Sequence, residues 1–273
     1  MKRHSLIAAC LGLAALSLGA GARADQVADI KARGELICGT LGTSQPFSFQ
    51  DAATRQLVGY DVDMCKLVAD KLGVKVSYKL LSVAARVPEL NEGRVDILAA
   101  NLGYSPDRAE QIAFSHAYYV SPQKLLVRKD SGLDTIESLN GRRVGATKGS
   151  SSEREIKRIL DKSQVIGYGD SSATYLALQQ KKVDAQFASE LVLVRLVLQS
   201  PPTAPVSVIA KSVFDEPWGL GVRKSEPGML TVVNQALDEA ESSGVAAQLF
   251  DKWFGAQTPY KLERGFKIGP IAG

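Results

Sequence analysis

Histidine is nearly absent from this sequence. The 273 residues contain two histidines, and only His116 lies after residue 24. Nucleophilic triads use histidine as their base, and catalytic zinc sites are built largely from histidine and cysteine at short spacings. A single histidine without a partner at such a spacing is usually structural or exposed. The composition therefore argues against hydrolytic and metal-dependent catalysis, and we predict a protein that is not an enzyme.

Long apolar runs are also missing after the first 24 residues, where no segment approaches about 18 uninterrupted apolar residues. The beginning of the chain has the pattern of a cleaved secretory signal. Lys2 and Arg3 precede an apolar run over residues 6–18, and residues 22–24 form a small-x-small cleavage site. This pattern predicts export to the periplasm and a mature chain that begins at Asp25.

Net charge and cysteine are both scarce in the predicted mature chain. Cleavage removes three of the 33 basic residues and none of the 29 acidic ones, which leaves a formal charge of +1. Without excess charge or a basic stripe, nucleic acid is a poor candidate partner. Of the three cysteines, Cys38 and Cys65 remain. In an exported chain this pair either forms a disulfide or stays as two buried thiols.

Flexible tracts are absent as well, because no Gly/Ser-rich or Pro-rich segment interrupts residues 25–273. Short apolar runs instead alternate with segments of helical period. Such alternation predicts an α/β fold with parallel sheets covered by helices. The predicted strands and helices cover residues 36–41, 60–72, 76–81, 87–92, 95–102, 143–147, 151–160, 165–168, 172–181, 183–188, 191–198, 227–241 and 245–253.

The strand-helix alternation occurs twice, which predicts two lobes. Strand-like segments at residues 124–128 and 218–223 predict two crossings between the lobes, so the first lobe is discontinuous. The predicted division places residues 25–121 and 220–273 in lobe one and residues 122–219 in lobe two.

One arginine follows the strand predicted over residues 95–102. The turn at residues 105–107 delivers Arg108 near the end of that strand, and strand ends are where α/β sheets present groups to ligands. A guanidinium can bind a carboxylate through two parallel hydrogen bonds. This stretch therefore predicts a site for a small carboxylate.

A second candidate site lies at the start of the helix predicted over residues 151–160. Ser150 and Glu153 stand at capping-box spacing. The free backbone N–H groups and hydroxyls of a helix start attract anions, although the same motif also serves as a plain helix cap. Beside Arg108, we favour the anion site.

Four blocks of the sequence resemble one protein family. They lie at residues 59–64, at 96–108 with 114–119, at 141–145 with 149–153, and at 217–219 with 251–254. Through them, residues 25–261 are similar to the family 3 extracellular solute-binding proteins, the amino-acid receptors of ABC importers. The resemblance implies a type II periplasmic binding protein fold. In that fold two lobes, each with a central sheet flanked by helices, are joined by two hinge strands; they close on a ligand and then dock on a membrane permease.

The resemblance also implies which residues meet the ligand. It assigns the ligand's α-carboxylate to Arg108 and its α-ammonium to contacts at Asn101 and Gly103. The remaining candidate contacts are Arg86, Thr147, Ser150, Ser151, Ser189 and Phe47. Arg86 favours an acidic ligand if it turns into the cleft, and is otherwise a solvated residue at a helix start. We expect a monomer that captures a polar or acidic amino acid without a cofactor.

One contact typical of the family is missing from this sequence. The strand predicted over residues 183–188 normally ends in an aspartate that pairs with the ligand's α-ammonium, and here that residue is Ser189. A buried ammonium without a partner is costly. Either another carboxylate, such as Glu190 or Glu216, replaces the aspartate, or the ligand is not an ordinary α-amino acid.

Two other functions stay open on the sequence. Periplasmic dehydratases share this fold, but Val192 fills the position of their catalytic glutamate. A ligand-sensing subunit for a membrane kinase is the other alternative, and the sequence contains no kinase segment that supports it.

Overall fold

The computed structural model describes residues 25–271, and the predicted signal segment lies outside them. Strands and helices alternate along most of this stretch. The strands are β1 (Glu35–Thr40), β2 (Thr43–Ser44), β3 (Ser48–Gln50), β4 (Leu57–Val58), β5 (Lys75–Leu80), β6 (Ile97–Leu98), β7 (Ala113–Arg128), β8 (Arg143–Thr147), β9 (Gln164–Tyr168), β10 (Ala185–Ser189), β11 (Val206–Val208) and β12 (Phe214–Val222). The helices are α1 (Gln26–Arg33), α2 (Tyr60–Leu72), α3 (Arg86–Asn91), α4 (Pro106–Ala109), α5 (Ser151–Ile159), α6 (Ser171–Gln179), α7 (Glu190–Gln199), α8 (Pro227–Ser242) and α9 (Val245–Phe254).

Nine of the described strands form one mixed sheet. Its order is β5-β1-β6-β12-β7-β10-β8-β9, with β11 beside β7, and β2, β3 and β4 form a separate small sheet. Strand β1 pairs in parallel with β5 and β6, and β8 pairs in parallel with β9 and β10. Parallel neighbours need long crossover connections, which are usually helical. The predicted α/β class is confirmed.

Two long antiparallel strands connect the two parallel halves of the sheet. Strand β7 is 16 residues long and pairs with β12 on one side and with β10 on the other. The extended segment predicted at residues 124–128 lies within β7, and the one predicted at 218–223 overlaps β12 up to its end at Val222. The sheet is consequently continuous across the joint, rather than divided into two separate sheets.

Apolar side chains collect in cores on either side of this joint. Tyr60, Met64 and Phe254 are fully buried in one core, and Leu125 and Phe187 are fully buried in another. Within residues 25–271, no helix combines the length and the apolar character needed to cross a bilayer. The predicted lobe boundaries remain a prediction.

The strand predicted over residues 95–102 is much shorter than expected. Only β6 pairs as a strand there, because the chain leaves the sheet and turns at Asn101, which has a φ of +49°. The backbone N–H of Asn101 donates to Oδ2 of the buried Asp61 at 2.9 Å. The turn positions α4, which carries Arg108 and whose N-cap Ser105 accepts a side-chain hydrogen bond from the backbone N–H of Arg108.

Cys38 on β1 and Cys65 on α2 are joined by a disulfide. Their Cα atoms lie 6.1 Å apart, within the usual range for such a bond. Both residues are fully buried. Of the two alternatives that the sequence left open, the structure shows the bridge.

Candidate functional site

A cavity of about 260 Å³ is lined by residues from both halves of the sheet. Its polar and charged lining residues are Thr43, Ser44, Ser82, Arg86, Asn101, Gln123, Thr147, Ser150, Ser151, Ser152, Asp170, Ser171, Ser172, Ser189, Arg195 and Glu216. Its apolar lining residues are Leu41, Leu81, Val83, Phe187, Ala188, Val192 and Trp218. A concave space with a few charged groups directed into it is the usual form of a small-molecule site.

Six of the nine ligand contacts predicted from the sequence line this cavity. They are Arg86, Asn101, Thr147, Ser150, Ser151 and Ser189. Arg108, Gly103 and Phe47 are outside the set of described residues that form its wall.

Arg86 supplies a fixed positive charge on the cavity wall. It is 3% exposed, and its Nη1 donates to the carbonyl oxygens of Ala100 at 2.7 Å and Asn101 at 2.8 Å, while its Nε donates to Val83 at 2.9 Å. Burial, and then the charge of Arg108, lower the pKa of Arg86 to about 9. The side chain is therefore still cationic at pH 7. Of the two alternatives for Arg86, the structure shows the one inside the cleft.

Arg108 is buried beside the cavity and is 6% exposed. Its Nη1 donates to the carbonyl oxygen of Gly103. Burial lowers the pKa of Arg108, and the nearby carboxylate of Glu216 opposes this shift. The two arginines thus place two positive charges in one buried region, and Glu216 is the carboxylate that they share.

Glu216 lies on β12 at the joint between the two halves and is 4% exposed. Its Oε2 accepts hydrogen bonds from Trp218 Nε1 at 2.8 Å and from Gln123 Nε2 at 3.3 Å. Burial raises the pKa of Glu216, whereas the hydrogen bond from Trp218 and the charges of Arg108 and Arg86 favour its ionised form. The carboxyl group packs against Gly103, where a Cβ atom would stand 1.9 Å from Glu216 Cδ.

Glu190, the other carboxylate considered as a replacement for the missing aspartate, has a different partner. Lys124 Nζ donates to its Oε1 at 2.6 Å. Glu190 does not belong to the described residues of the cavity wall. The structure consequently favours Glu216 over Glu190 as the carboxylate available to a ligand.

Phe47 belongs to the core rather than to the cavity wall. Its ring lies 4.9 Å from the ring of Trp218, 5.2 Å from that of Tyr119 and 5.4 Å from that of Phe254. Packing among three aromatic rings buries it completely. The assignment of Phe47 as a ligand contact is corrected: it supports Trp218, which does line the cavity.

The start of α5 closes the other side of the cavity. Ser150 Oγ accepts a hydrogen bond from the backbone N–H of Glu153 at 3.1 Å, and Glu153 Oε2 accepts one from Gly149 at 2.9 Å. Ser150 therefore caps the helix as predicted, while Glu153 bonds the N–H of Gly149 instead of that of the N-cap residue, so only one half of the capping box forms. Ser152 Oγ donates to Gln123 Oε1 at 2.9 Å, which ties the helix start to β7. The motif thus caps the helix and lines the cavity at the same time.

Arg195 is a charged wall residue that the sequence analysis missed. It lies on α7, and its Nη1 donates to Gln199 Oε1 at 3.3 Å. Its Nε is buried without a hydrogen-bond partner among the residues described. Burial lowers the pKa of Arg195. The available signal was a single arginine in the otherwise apolar residues 191–198 of α7.

Asp61 is a fully buried carboxylate that holds the turn at Asn101. Its Oδ1 accepts a hydrogen bond from Tyr118 at 2.7 Å, and its Oδ2 accepts the Asn101 N–H. Burial raises the pKa of Asp61 from 3.8 to about 6, although these two donors and Arg86 favour the ionised form. The turn that brings Asn101 to the cavity is therefore linked to a group that titrates in mildly acidic solution.

Asp61 is expected to make stability fall as pH rises. Between pH 3.8 and about 6 the folded chain binds a proton at Asp61 that the unfolded chain has released, so the free energy of unfolding loses about 3 kcal/mol across this window. Asp61→Asn cannot titrate. Urea unfolding of both proteins at several pH values measures their free energies of unfolding. The value for the wild type minus the value for Asp61→Asn should decrease from pH 4 to pH 7. A constant difference would refute the assignment.

Comparison with known proteins extends over most of the chain. The model of the bacterial extracellular solute-binding proteins, family 3, matches residues 36–256. The L-cystine-binding protein TcyJ of Escherichia coli (strain K12) is 29% identical over 256 residues, which cover 91% of this chain and 95% of that protein. An ancestral arginine-binding protein bound to arginine superposes with a TM-score of 0.77 at 33% identity and covers 82% of this chain and 99% of its own. The ancestral amino acid-binding protein AncCDT-1, a precursor of cyclohexadienyl dehydratase, has a TM-score of 0.77 at 29% identity, over 85% of this chain and 100% of its own.

Proposed function

Because the chain belongs to the bacterial extracellular solute-binding proteins, family 3, we propose that it captures a small amino acid in its cavity and delivers it to the permease of an ABC importer. The observation that carries the proposal is the pairing of opposite charges in the cavity wall. Arg86 and Glu216 both line it, beside the first turn of α5. An α-amino acid presents a carboxylate and an ammonium on one carbon atom, so it complements such a pair.

The carboxylate of the ligand is the part that the arginines attract. Arg86 faces the cavity, and Arg108 adds its charge from beside Gly103. On the opposite side, Ser150 and Ser151 stand at the positive end of α5. Charged and dipolar groups from both halves thus converge on one anionic group, which favours the closed arrangement of the halves when ligand is present.

The side chain of the ligand is proposed to be polar or acidic. Arg195 adds a further positive charge on the α7 side of the cavity, and Asp170 and Ser171 lie at the start of α6. Polar groups therefore surround the space left beyond the carboxylate and ammonium. The relatives named above bind cystine and arginine, which differ in their side chains and so do not fix the one bound here.

Binding without chemical conversion is the proposed role. The position that corresponds to the dehydratases' catalytic glutamate is Val192, and this residue lines the cavity. An alkyl side chain cannot transfer a proton. The family is extracellular, and together with the signal pattern of residues 1–24 this supports a periplasmic location. We propose that the protein meets its permease there as a monomer.

A thermal-shift screen tests this function directly. The protein from Asp25 onward is expected to melt at a higher temperature with one or a few polar or acidic L-amino acids, because a ligand at 100 times its Kd adds about 2.7 kcal/mol of stability. The panel contains the common L-amino acids, L-cystine, glutarate, oxoglutarate and prephenate. Conversion of prephenate would contradict the binding role, and the absence of a shift with every carboxylate would contradict the capture of a carboxylate.

A further inference from the structure

Three oxygen atoms of the cavity wall are buried and have no hydrogen-bond partner within residues 25–271. They are Glu216 Oε1, Ser189 Oγ and Asn101 Oδ1. Buried polar atoms in folded proteins are nearly always paired with protein, water or a ligand. All three can accept hydrogen bonds, and an ammonium group has three N–H donors and no acceptor. Resting on the proposed function, we propose that Glu216, with Ser189 and Asn101, binds the ammonium group of the ligand.

The sheet brings Glu216 and Ser189 to the same place. Strand pairing sets Ser189 of β10 opposite Gln123 of β7. The Gln123 side chain reaches the other way, to Glu216 Oε2 on β12. Gln123 is thus a neighbour of both residues, and both line the cavity in which the ammonium group would bind.

Glu216 is held with one oxygen engaged and the other free. Trp218 and Gln123 both donate to Oε2, which fixes the plane of the carboxylate. Oε1 is left to face a ligand. The neighbouring arginines favour the ionised form of the Glu216 carboxylate, which burial disfavours. The positive charge of a bound ammonium group would favour the ionised form further.

Gly103 makes this position of Glu216 possible. A Cβ atom at residue 103 would lie 1.9 Å from Cδ and 2.0 Å from Oε1 of Glu216, so any side chain there displaces the carboxylate. The serine at position 189 has a matching effect, because an aspartate there would add a second negative charge close to Glu216. The departure from the family pattern at Ser189 and the room that Gly103 leaves for Glu216 thus fit one explanation: the acidic partner of the ammonium has moved from the end of β10 to β12.

A competing explanation is that Glu216 serves only as the internal counter-ion of Arg86 and Arg108. In that case its loss changes the charge of the carboxylate site and so changes the affinity for all carboxylate ligands alike. If Glu216 contacts the ammonium, its loss affects only ligands that carry one. Comparing each amino acid with its deamino analogue separates the two roles, because the comparison is a double-mutant cycle between protein and ligand.

The test is isothermal titration of the wild type and of Glu216→Gln with pairs of ligands, each pair being an L-amino acid and its deamino analogue. The first pair is L-glutamate and glutarate. Each common L-amino acid that raises the melting temperature in the screen supplies a further pair. We expect Glu216→Gln to weaken the amino acid at least about tenfold and its analogue less than about threefold. Adding Ser189→Asp to Glu216→Gln should regain much of the loss. Glu190→Gln, which removes the same charge from the Lys124 pair, should change neither affinity more than about twofold. Gly103→Ala should reproduce the selective loss with Glu216 intact.

Equal losses for both members of a pair, or no loss for either, overturn the assignment and leave Glu216 as a counter-ion. Binding of the deamino acids alone by the wild type also overturns it, while the capture of a carboxylate stands. Failure of the wild type to bind any compound overturns the proposed function as well.

Discussion

Arg108→Ala is expected to lower the affinity for the carboxylate ligand at least about 100-fold while the chain still folds. The side chain is 6% exposed, so its charge acts through a poorly solvated wall. Truncating one partner of a buried charged pair costs about 2 to 5 kcal/mol, and each 1.4 kcal/mol is tenfold in Kd. The same truncation leaves Glu216 with one positive neighbour fewer. Isothermal titration with the ligand found in the thermal-shift screen measures the loss.

Arg223→Ala is the matched control for this variant. Arg223 Nη1 also donates to backbone carbonyls, those of Leu90 at 3.3 Å and Val95 at 3.0 Å, but, unlike Arg108, it is not one of the arginine charges that act on Glu216. Arg223→Ala makes the same change in side-chain size and charge as Arg108→Ala, so the affinity of the Arg223→Ala variant for the ligand should stay within about twofold of the wild type. Near-normal affinity of Arg108→Ala would mean that Arg86 and α5 hold the carboxylate without it.

Loss of the disulfide is expected to have the largest effect on stability. The bond links residues 27 positions apart. In the chain-entropy model, closing a loop of about this length restricts the unfolded chain enough to stabilise the fold by about 3 to 4 kcal/mol. The double variant Cys38→Ala with Cys65→Ala should lose about this amount in the free energy of unfolding, since both sulfur atoms lie in a dry core. Urea unfolding under oxidising conditions measures it.

A reducing agent distinguishes the contribution of the disulfide bond to stability from that of the packing of the two sulfur atoms. It should lower the free energy of unfolding of the wild type toward that of the double variant, and it should leave the double variant unchanged. If reductant changes neither protein, the two cysteines are not joined in solution.

The sequence pattern predicted most helices and most parallel strands well because their periodicity follows burial, whereas α1 and the short α4 were missed. Helix α2 and strand β8 were predicted with the bounds that the structure shows. The same property caused the error at residues 95–102. Ala99, Ala100 and Leu102 are completely buried although they lie outside β6. An apolar run indicates that a segment is buried, but it does not indicate whether the backbone of that segment pairs with a neighbouring strand.

The candidate site was predictable where a residue's role depends on local sequence, and unpredictable where it depends on distant neighbours. Ser150 and Ser151 follow from a capping motif that also faces the cavity. The carboxylate of Glu216 packs on Gly103 through a contact between segments far apart in the chain. The position of Arg195 in the cavity wall could not be predicted, because the periodicity of an apolar helix does not indicate whether a polar residue within it lines a cavity.

The paired strands β7 and β12 carry Gln123 and Glu216 where the two halves join. When two bodies rotate about a common axis, displacement grows with distance from that axis. In a receptor that closes by a hinge, groups on the joining strands therefore stay almost in place, while the first turn of α5 travels. In the proposed receptor role, we expect a solute that enters an open form to meet Glu216 and Arg86 first and α5 last. The speed of capture is then set by the joining strands, and the residence time of the solute by the moving helix.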